Sequence, residues 1–334
     1  MTRYVGRLAP SPTGALHLGN VRTFMIAWLR ARSRGGKVIF RMEDLDHPKD
    51  KPGAAAQAVE DLKWLGFDWD EEYVQSERKA IYREALEALK KGHETEDGRR
   101  ESWIYPCVCS RRDVESAQSA PHAGEQMFYP GTCRGRFKSW DEAKEFLTAS
   151  RASRDPRDSS VSRTPCWRFR VPENTIVAFD DVFAGHYEQD VSRTLGDFPL
   201  ARDEFGAGYT LACTVDDLLM GVTEVVRGDD LLAATPAQIL LARALRESRI
   251  LDLRRETPGY CHVPLVVGKD GKRLAKRHGD TRIATFRAEG RRPEEILGLL
   301  AASCGWAERG ERVSLADLVP RFDLGTIPHG PFMI

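Results

Sequence analysis

The 334-residue chain balances 50 Lys and Arg against 50 Asp and Glu and is 41% hydrophobic, which excludes overall disorder and leaves enough chain for two domains with buried cores. It has no run of 18 apolar residues and no charged-then-apolar layout at its N-terminus, so the reading is a soluble, cytoplasmic protein. Seven scattered cysteines then point to reduced thiols, buried or around a metal, rather than to a disulfide framework. The zero net charge conceals an asymmetry. Residues 43–101 carry 17 acidic and 10 basic side chains, a solvated helical face by the plainest reading, whereas residues 243–292 carry 6 and 14 and surround a Gly-Lys-rich loop suited to a polyanion.

In chain order, residues 3–10 read as a short strand ending at Pro10, followed by the turn Ser11-Pro12-Thr13-Gly14. Apolar residues then recur at helical spacing until Gly35-Gly36, and residues 37–42 form a second buried strand. This strand–loop–helix–strand unit predicts a parallel sheet with ligands at the carboxyl ends of its strands. One further helix is expected from Pro52 to Leu65, and another capped by Ser76 and closed by Gly92. Residues 93–102 look structureless. A Cys- and Gly-bearing segment, a helix over 139–149 and a surface loop over 151–164 follow, so that 93–165 interrupts the α/β pattern. Strand patterns resume at 167–172, at 174–181 and across the Tyr209–Asp217 segment. Thr235 and Pro236 open a helix as cap and first turn, residues 262–267 form a last strand, and Pro293 opens a final helix.

The most specific signal is Arg7-Leu-Ala9-Pro-Ser11-Pro-Thr-Gly-Ala-Leu-His17-Leu-Gly19-Asn20. A strand, a Pro/Gly turn and His-x-Gly at a helix start place an imidazole beside backbone N–H groups and the positive end of a helix dipole, an arrangement suited to phosphate. In this context the segment resembles the HIGH signature of class I aminoacyl-tRNA synthetases, in the form used by the glutamyl/glutaminyl branch. Lys272-Arg273-Leu-Ala275-Lys276-Arg277 resembles the KMSKS loop, with Arg273 in place of its first Lys and Ala275 in place of its Ser. The resemblance implies an ATP site of His17, Gly19, Asn20 and Lys276, with His17, Asn20 and Lys276 catalytic and ATP entering with magnesium.

Arg41-Met-Glu43-Asp44-Leu-Asp46, Tyr209-Thr-Leu-Ala-x-x-Val-Asp216-Asp217 and Val226-Arg227-Gly-Asp229-Asp230-Leu resemble further motifs of that branch. By resemblance Glu43 receives a substrate ammonium, and Arg7, Ala9, Ser11, Tyr209 and Arg227 line a glutamate pocket. Two arginines suit a dicarboxylic amino acid, because guanidinium pairs with carboxylate in a bidentate fork. A structural ion network of Arg227 with Asp229 and Asp230 is the alternative.

Cys107-Val-Cys109 and Tyr129-Pro-Gly-Thr-Cys133 supply three thiolates for a tetrahedral zinc, with Tyr129, His122 or Cys166 as fourth ligand. The C-x-C…Y-x-x-x-C pattern resembles the zinc site of glutamyl-queuosine tRNA(Asp) synthetases, which implies one structural zinc on Cys107, Cys109, Tyr129 and Cys133. Cys166, Cys213, Cys261 and Cys304 read as small core residues, and His262 as a packed strand residue.

These resemblances imply a Rossmann-like α/β fold with a parallel sheet. Residues 1–92 would form the first half of the catalytic domain, 93–195 an inserted zinc-bearing subdomain, 196–280 the second half, and 281–334 a short helical region in place of an anticodon-binding domain. The activity implied is that of a ligase, expected as a monomer: it would activate glutamate with ATP without needing tRNA and transfer it to queuosine in the anticodon loop of tRNA(Asp). A shortened glutamyl-tRNA synthetase charging the 3′ end of tRNA(Glu), and an inactive zinc-containing RNA-binding paralogue, are the alternatives.

Overall fold

The computed structural model describes residues 3–45, 51–95, 97–117, 128–152, 164–248, 257–271, 274 and 280–334. Strand β1 (Val5–Leu8), helix α1 (Leu18–Arg32) and strand β2 (Lys37–Met42) form the expected opening unit; β1 and β2 pair in parallel with Arg7 opposite Ile39. Helix α2 (Ala54–Trp64) crosses to β3 (Glu71–Val74), parallel to β2. A 3-10 turn over Gln75–Arg78 then leads into α3 (Lys79–Lys91), which closes at Gly92. Ser76 does not cap this helix: its amide and hydroxyl both donate to Asp44, at 2.8 and 2.6 Å, tying the turn to the end of β2. The supposedly structureless 93–102 contains a two-rung antiparallel ribbon, β4 (His93–Glu94) with β5 (Arg100–Glu101).

A separate antiparallel sheet follows, built from β6 (Ile104–Cys107), β7 (Cys166–Phe169) and β10 (Pro199–Ala201) in the order β10-β7-β6. Between β6 and β7 run α4 (Arg111–Ala117) and α5 (Trp140–Ala152); of the expected loop over 151–164, residues 153–163 lie outside the described residues. The hairpin of β8 (Ile176–Asp181) and β9 (Gly185–Asp190) leads into the short α6 (Val191–Thr194).

The Tyr209–Asp217 segment is a helix, α7 (Tyr209–Leu219), where a strand was expected. Its β-branched residues invite the strand reading, but Leu211, Ala212, Val215 and Leu218 recur at helical spacing and all are buried. Gly208 precedes it because the chain runs against β10: a Cβ there would lie 2.9 Å from the Leu200 carbonyl oxygen. Strand β11 (Glu224–Gly228) then leads through a 3-10 turn (Asp229–Ala234) into α8 (Thr235–Ser248). Thr235 is inside that helix rather than its cap, since the preceding turn is already wound. The expected strand over 262–267 is broken at Pro264 and Leu265 into β12 (Gly259–Val263) and β13 (Val266–Val267), as a proline that cannot donate to the ladder requires.

Strands β11, β12 and β8 pair in parallel, and β9 closes that edge antiparallel. The sheet joins β1 at Thr223, whose amide donates to the Val5 carbonyl at 2.9 Å. Strands β8 and β9 fall within the 93–195 interval yet belong to this sheet, so the interval is not a separate module as a whole. Alternation along the strands divides the core: Val226 and Cys261 pack with α1, whereas Val225 and Tyr260 pack with α3, α7 and α8. Helices thus cover both faces, as a parallel sheet requires.

The chain finishes with α9 (Ile283–Ala288), α10 (Pro293–Ala302), α11 (Leu315–Leu318) and β14 (Phe332–Met333), which pairs in parallel with β13. Arg22 on α1 is 1% exposed; it donates to the Pro264 carbonyl at 2.7 Å and to the Ser303 hydroxyl at 2.9 Å. Among the described residues no helix is long and apolar enough to cross a membrane.

Candidate active site

A cleft of about 810 Å³ opens at the carboxyl ends of β1, β2 and β11. Arg7, Ala9, Ser11, His17, Gly19, Asn20, Glu43, Tyr209 and Arg227 all line it, although they come from four separate stretches of sequence. Lys276 lies outside the described residues. Leu274 lines the cleft, and the chain from Asp280 onward runs against the turn before α1, with Leu18 N–H donating to the Thr281 carbonyl at 3.1 Å and Ile283 N–H to the Leu16 carbonyl at 2.9 Å.

His17 is the N-cap of α1. Its Nδ1 accepts from Gly19 N–H at 3.1 Å, and Asn20 Oδ1 accepts from His17 N–H at 3.2 Å, completing a capping box. An accepting Nδ1 places the proton of a neutral imidazole on Nε2, making that atom a donor. A Cβ at residue 19 would come within 3.0 Å of the imidazole Cε1, so glycine is what lets the ring fold over the helix end. The first turn of α1 carries no acidic residue to offset the helix dipole, which leaves this wall favourable to anions.

The opposite wall is a buried charge cluster centred on Arg41, which is fully buried. Its Nη1 donates to Asp217 Oδ1 at 2.6 Å and its Nη2 to Glu43 Oε1 at 3.0 Å, while Asp216 Oδ2 stands 3.9 Å from Nε. Burial would lower the guanidinium pKa, but Asp217 and Glu43 outweigh it and hold the pKa well above its ordinary value. The Cys213 thiol also donates to Glu43 Oε1, at 3.1 Å; burial first, and then Glu43, push that thiol far up. Asp216 is further held by Gln75, Arg78 and Tyr82. Arg7 donates through Nη1 to the Val226 carbonyl at 2.9 Å, while its buried Nε has no hydrogen-bond partner and lies 3.6 Å from Asp217 Oδ1. Tyr209, at the first turn of α7, exposes 44% of its surface.

Arg227 does not form the alternative ion network with Asp229 and Asp230. Its Nε donates to His262 Nε2 at 3.0 Å and its Nη2 to Thr235 Oγ1 at 2.8 Å. His262 is a buried strand residue as expected, but it is also hydrogen-bonded through Nδ1 to Asp181 at 2.6 Å. Neither the Arg41 anchor nor this second chain of contacts was assigned from sequence. Arg41 had a signal, its place in the R-x-E-D-x-D motif; His262 and Asp181 had none, because their partners lie 35 and 81 residues away.

A second cluster sits at the end of β6. The sulfurs of Cys107, Cys109 and Cys133 lie within 4.8 Å of one another. The Tyr129 hydroxyl is 3.3 Å from Cys107 Sγ and 3.7 Å from Cys109 Sγ, and it accepts from Cys133 N–H at 2.9 Å. Cys166 stands opposite Cys107 on β7, and His122 lies outside the described residues. Arg168 donates through Nε to Cys107 Sγ at 3.2 Å and stacks on the Tyr129 ring, its guanidinium carbon 3.8 Å from the ring centre. Neighbouring thiols, Cys109 first, together with Arg168 hold the Cys107 thiol far below its ordinary range. Three soft sulfurs and a phenol converging in a buried pocket beside a cation are a donor set that fits a tetrahedral zinc.

A doubly covered parallel sheet with a phosphate-suited helix end on one wall and an amino-acid-sized charge cluster on the other defines a nucleotide-dependent synthetase. Residues 4–318 match the family model for the catalytic domain of class I tRNA synthetases (E and Q), and the chain belongs to that family. It is thus an enzyme of the ligase type. Within that family it is similar to the glutamyl-Q tRNA(Asp) synthetase of Symbiobacterium thermophilum, at 44% identity over 98% of this chain and 95% of that one. The glutamate–tRNA ligase of Aquifex aeolicus is 36% identical over 99% of this chain but only 64% of its own length. Among solved structures, a glutamate tRNA ligase from Elizabethkingia meningosepticum in complex with its amino acid superposes with a TM-score of 0.75 at 26% identity, covering 99% of this chain and 67% of that one.

Proposed function

We propose that the enzyme activates glutamate with ATP in the absence of tRNA and transfers it to queuosine in the anticodon loop of tRNA(Asp), acting in the cytoplasm. The observation that carries this reading is the convergence, in one cleft, of the ammonium-receiving Glu43, two carboxylate-binding arginines and the His17–Asn20 helix end. In the first step the α-carboxylate of glutamate attacks the α-phosphorus of ATP; a carboxylate O–P bond forms, the bond to the β-phosphate oxygen breaks, and pyrophosphate leaves with its magnesium. Charge developing on the phosphates is met by His17 Nε2–H, the amides at the start of α1 and the Lys276 ammonium. Glu43 holds the substrate ammonium, Arg7 and Arg227 the carboxylates, and Tyr209 covers the amino acid between them, with Ala9 and Ser11 shaping its floor. A queuosine hydroxyl then attacks the glutamyl carbonyl; an ester C–O bond forms, the acyl C–O bond to the phosphate breaks, and AMP departs with the former carboxylate oxygen while the hydroxyl proton passes to the departing phosphate or to water.

The likeness to a glutamyl-Q tRNA(Asp) synthetase along nearly its whole length supports the acceptor. Cys107, Cys109, Cys133 and Tyr129 would hold one structural zinc, which stabilises the chain around β6 and takes no part in the reaction.

The test uses labelled glutamate. It should be transferred to queuosine-containing tRNA(Asp), survive removal of the 3′-terminal adenosine and fail to appear on an unmodified transcript. Label on the 3′ end of tRNA(Glu) would instead identify a shortened glutamyl-tRNA synthetase.

A further inference from the structure

Three neighbouring strands bring one row of buried side chains to the cleft. In the parallel register of β11 and β12, Arg227 stands opposite His262, and β12 pairs with β8 at its final residue, Asp181. The three residues are 5, 1 and 4% exposed in that order. Only Arg227 reaches the cleft. The other two take no direct part in the proposed reaction, yet burying an aspartate and a histidine there costs desolvation that apolar residues would avoid.

The hydrogen bonds from Asp181 through His262 to Arg227 run in one direction. Asp181 Oδ1 accepts from the amides of Phe183, Ala184 and His262, at 3.0, 2.8 and 3.0 Å, so the carboxylate is locked by backbone. Its Oδ2 lies 2.6 Å from His262 Nδ1. An ionised carboxylate only accepts, which puts the imidazole proton on Nδ1 and leaves Nε2 as an acceptor in the neutral ring. Arg227 Nε–H donates to that atom. Thr235 Oγ1 accepts from Arg227 Nη2 and has its own proton to give, to the Leu231 carbonyl at 3.2 Å or to His262 Nε2 at 3.1 Å. Burial, aided by Arg227, holds the imidazole pKa below its ordinary value against the pull of Asp181, which keeps the ring neutral. The guanidinium is therefore gripped along its Nε and Nη2 edge, while Nη1 makes no hydrogen bond to any described residue.

We infer that His262 is a positioning residue for substrate binding: Asp181 fixes its tautomer, and through Nε2 it sets the plane of the Arg227 guanidinium that receives a glutamate carboxylate. A guanidinium recognises a carboxylate through parallel N–H bonds, so its plane must be fixed before the substrate arrives. The inference rests on the glutamate-pocket reading of Arg227.

The test is glutamate-dependent ATP–pyrophosphate exchange by the full-length enzyme, with KM for glutamate and for ATP measured separately. His262→Leu removes the acceptor. Asp181→Asn keeps Oδ1 on the three backbone amides but turns an amide NH2 toward Nδ1, which forces the imidazole proton onto Nε2 and sets two donors against each other. Both variants should raise KM for glutamate roughly 10- to 100-fold, the loss expected for a hydrogen bond to a charged group, with KM for ATP nearly unchanged. His262→Gln, whose amide oxygen can take the place of Nε2, should recover most of the affinity.

The double variant His262→Leu with Arg227→Ala should be no worse than Arg227→Ala alone, because the relay has nothing left to hold. If Arg227→Ala raises KM for glutamate while the Asp181 and His262 variants do not, or if they weaken glutamate and ATP alike, the relay is overturned and the pocket stands. An unchanged KM in Arg227→Ala removes the pocket and the relay together. Should His262→Leu fail to fold, the contrast between Asp181→Asn and His262→Gln decides the matter.

Discussion

The charge cluster around Arg41 and the sulfur cluster at the end of β6 both bury polar groups, but they are satisfied in different ways. Around Arg41 the protein completes the account itself: Glu43 and Asp217 meet the guanidinium, and Gln75, Arg78 and Tyr82 meet Asp216. That wall of the cleft is organised before any substrate arrives. At β6, three thiols and a phenol crowd together with Arg168, which among the described residues is the one cation hydrogen-bonded to a sulfur of that cluster. Such a cluster is held by soft donors that favour a metal over one another. The lesson is that preorganisation of the cleft is intrinsic to the chain, whereas on the zinc proposal the order of the β6 region would depend on the metal its sulfurs hold.

Removing the proposed zinc should give the largest effect and the sharpest contrast. A strong chelator is expected to forfeit binding free energy on the order of 10 kcal/mol at the sulfur site and to raise hydrogen exchange in β6 and the chain beyond it, while ATP binding persists. Protection unchanged by the chelator, or a zinc content near zero in a preparation made without one, would remove the distinction between the two regions. Next in size is Arg41→Met, which leaves Glu43, Asp216 and Asp217 buried without their common cation. It should cost about 3–5 kcal/mol in urea unfolding, and a loss below 1 kcal/mol would show the cleft wall to be less self-contained than its contacts indicate.

The smallest effect is in pH. His262 is held below its ordinary value of 6.5, so the unfolded chain binds more protons there and stability falls as pH drops below 6.5. Asp181, held below its ordinary 3.8, loses its contribution only at lower pH. Between pH 7 and 5 the Tm of the wild type should therefore decline more steeply than that of His262→Gln, and parallel declines would contradict a neutral imidazole in the native state.

Much of this was legible in the sequence because it was local. The run from Arg7 to Asn20 encodes a strand, a turn and a helix cap within 14 residues, and the structure places its chemistry-bearing side chains in one cleft. The strand at 37–42 has the expected bounds, since its Val38-Ile39-Phe40 core is the short apolar run of a strand buried on both faces. The errors arose where local pattern competes with tertiary context. Val215 and the threonines of α7 favour a strand, and only burial of one helical stripe against α3 and α8 decides otherwise. Ser76 has the chemistry of a cap, but Asp44, 32 residues earlier, claims it. The relay behind Arg227 is set by strand register, which no short window of sequence contains.

Arg22 gives the architecture a mechanical property. One guanidinium joins the helix that carries His17, the Pro264 corner between β12 and β13, and the C-terminal end of α10 at Ser303. These three pieces form a single strut, which fixes the Pro264 corner, whose neighbours Leu265 and Val266 line the cleft, against the helix that carries His17. Substitutions in α10, remote from any substrate, thereby acquire a lever arm that ends at the phosphate side of the cleft.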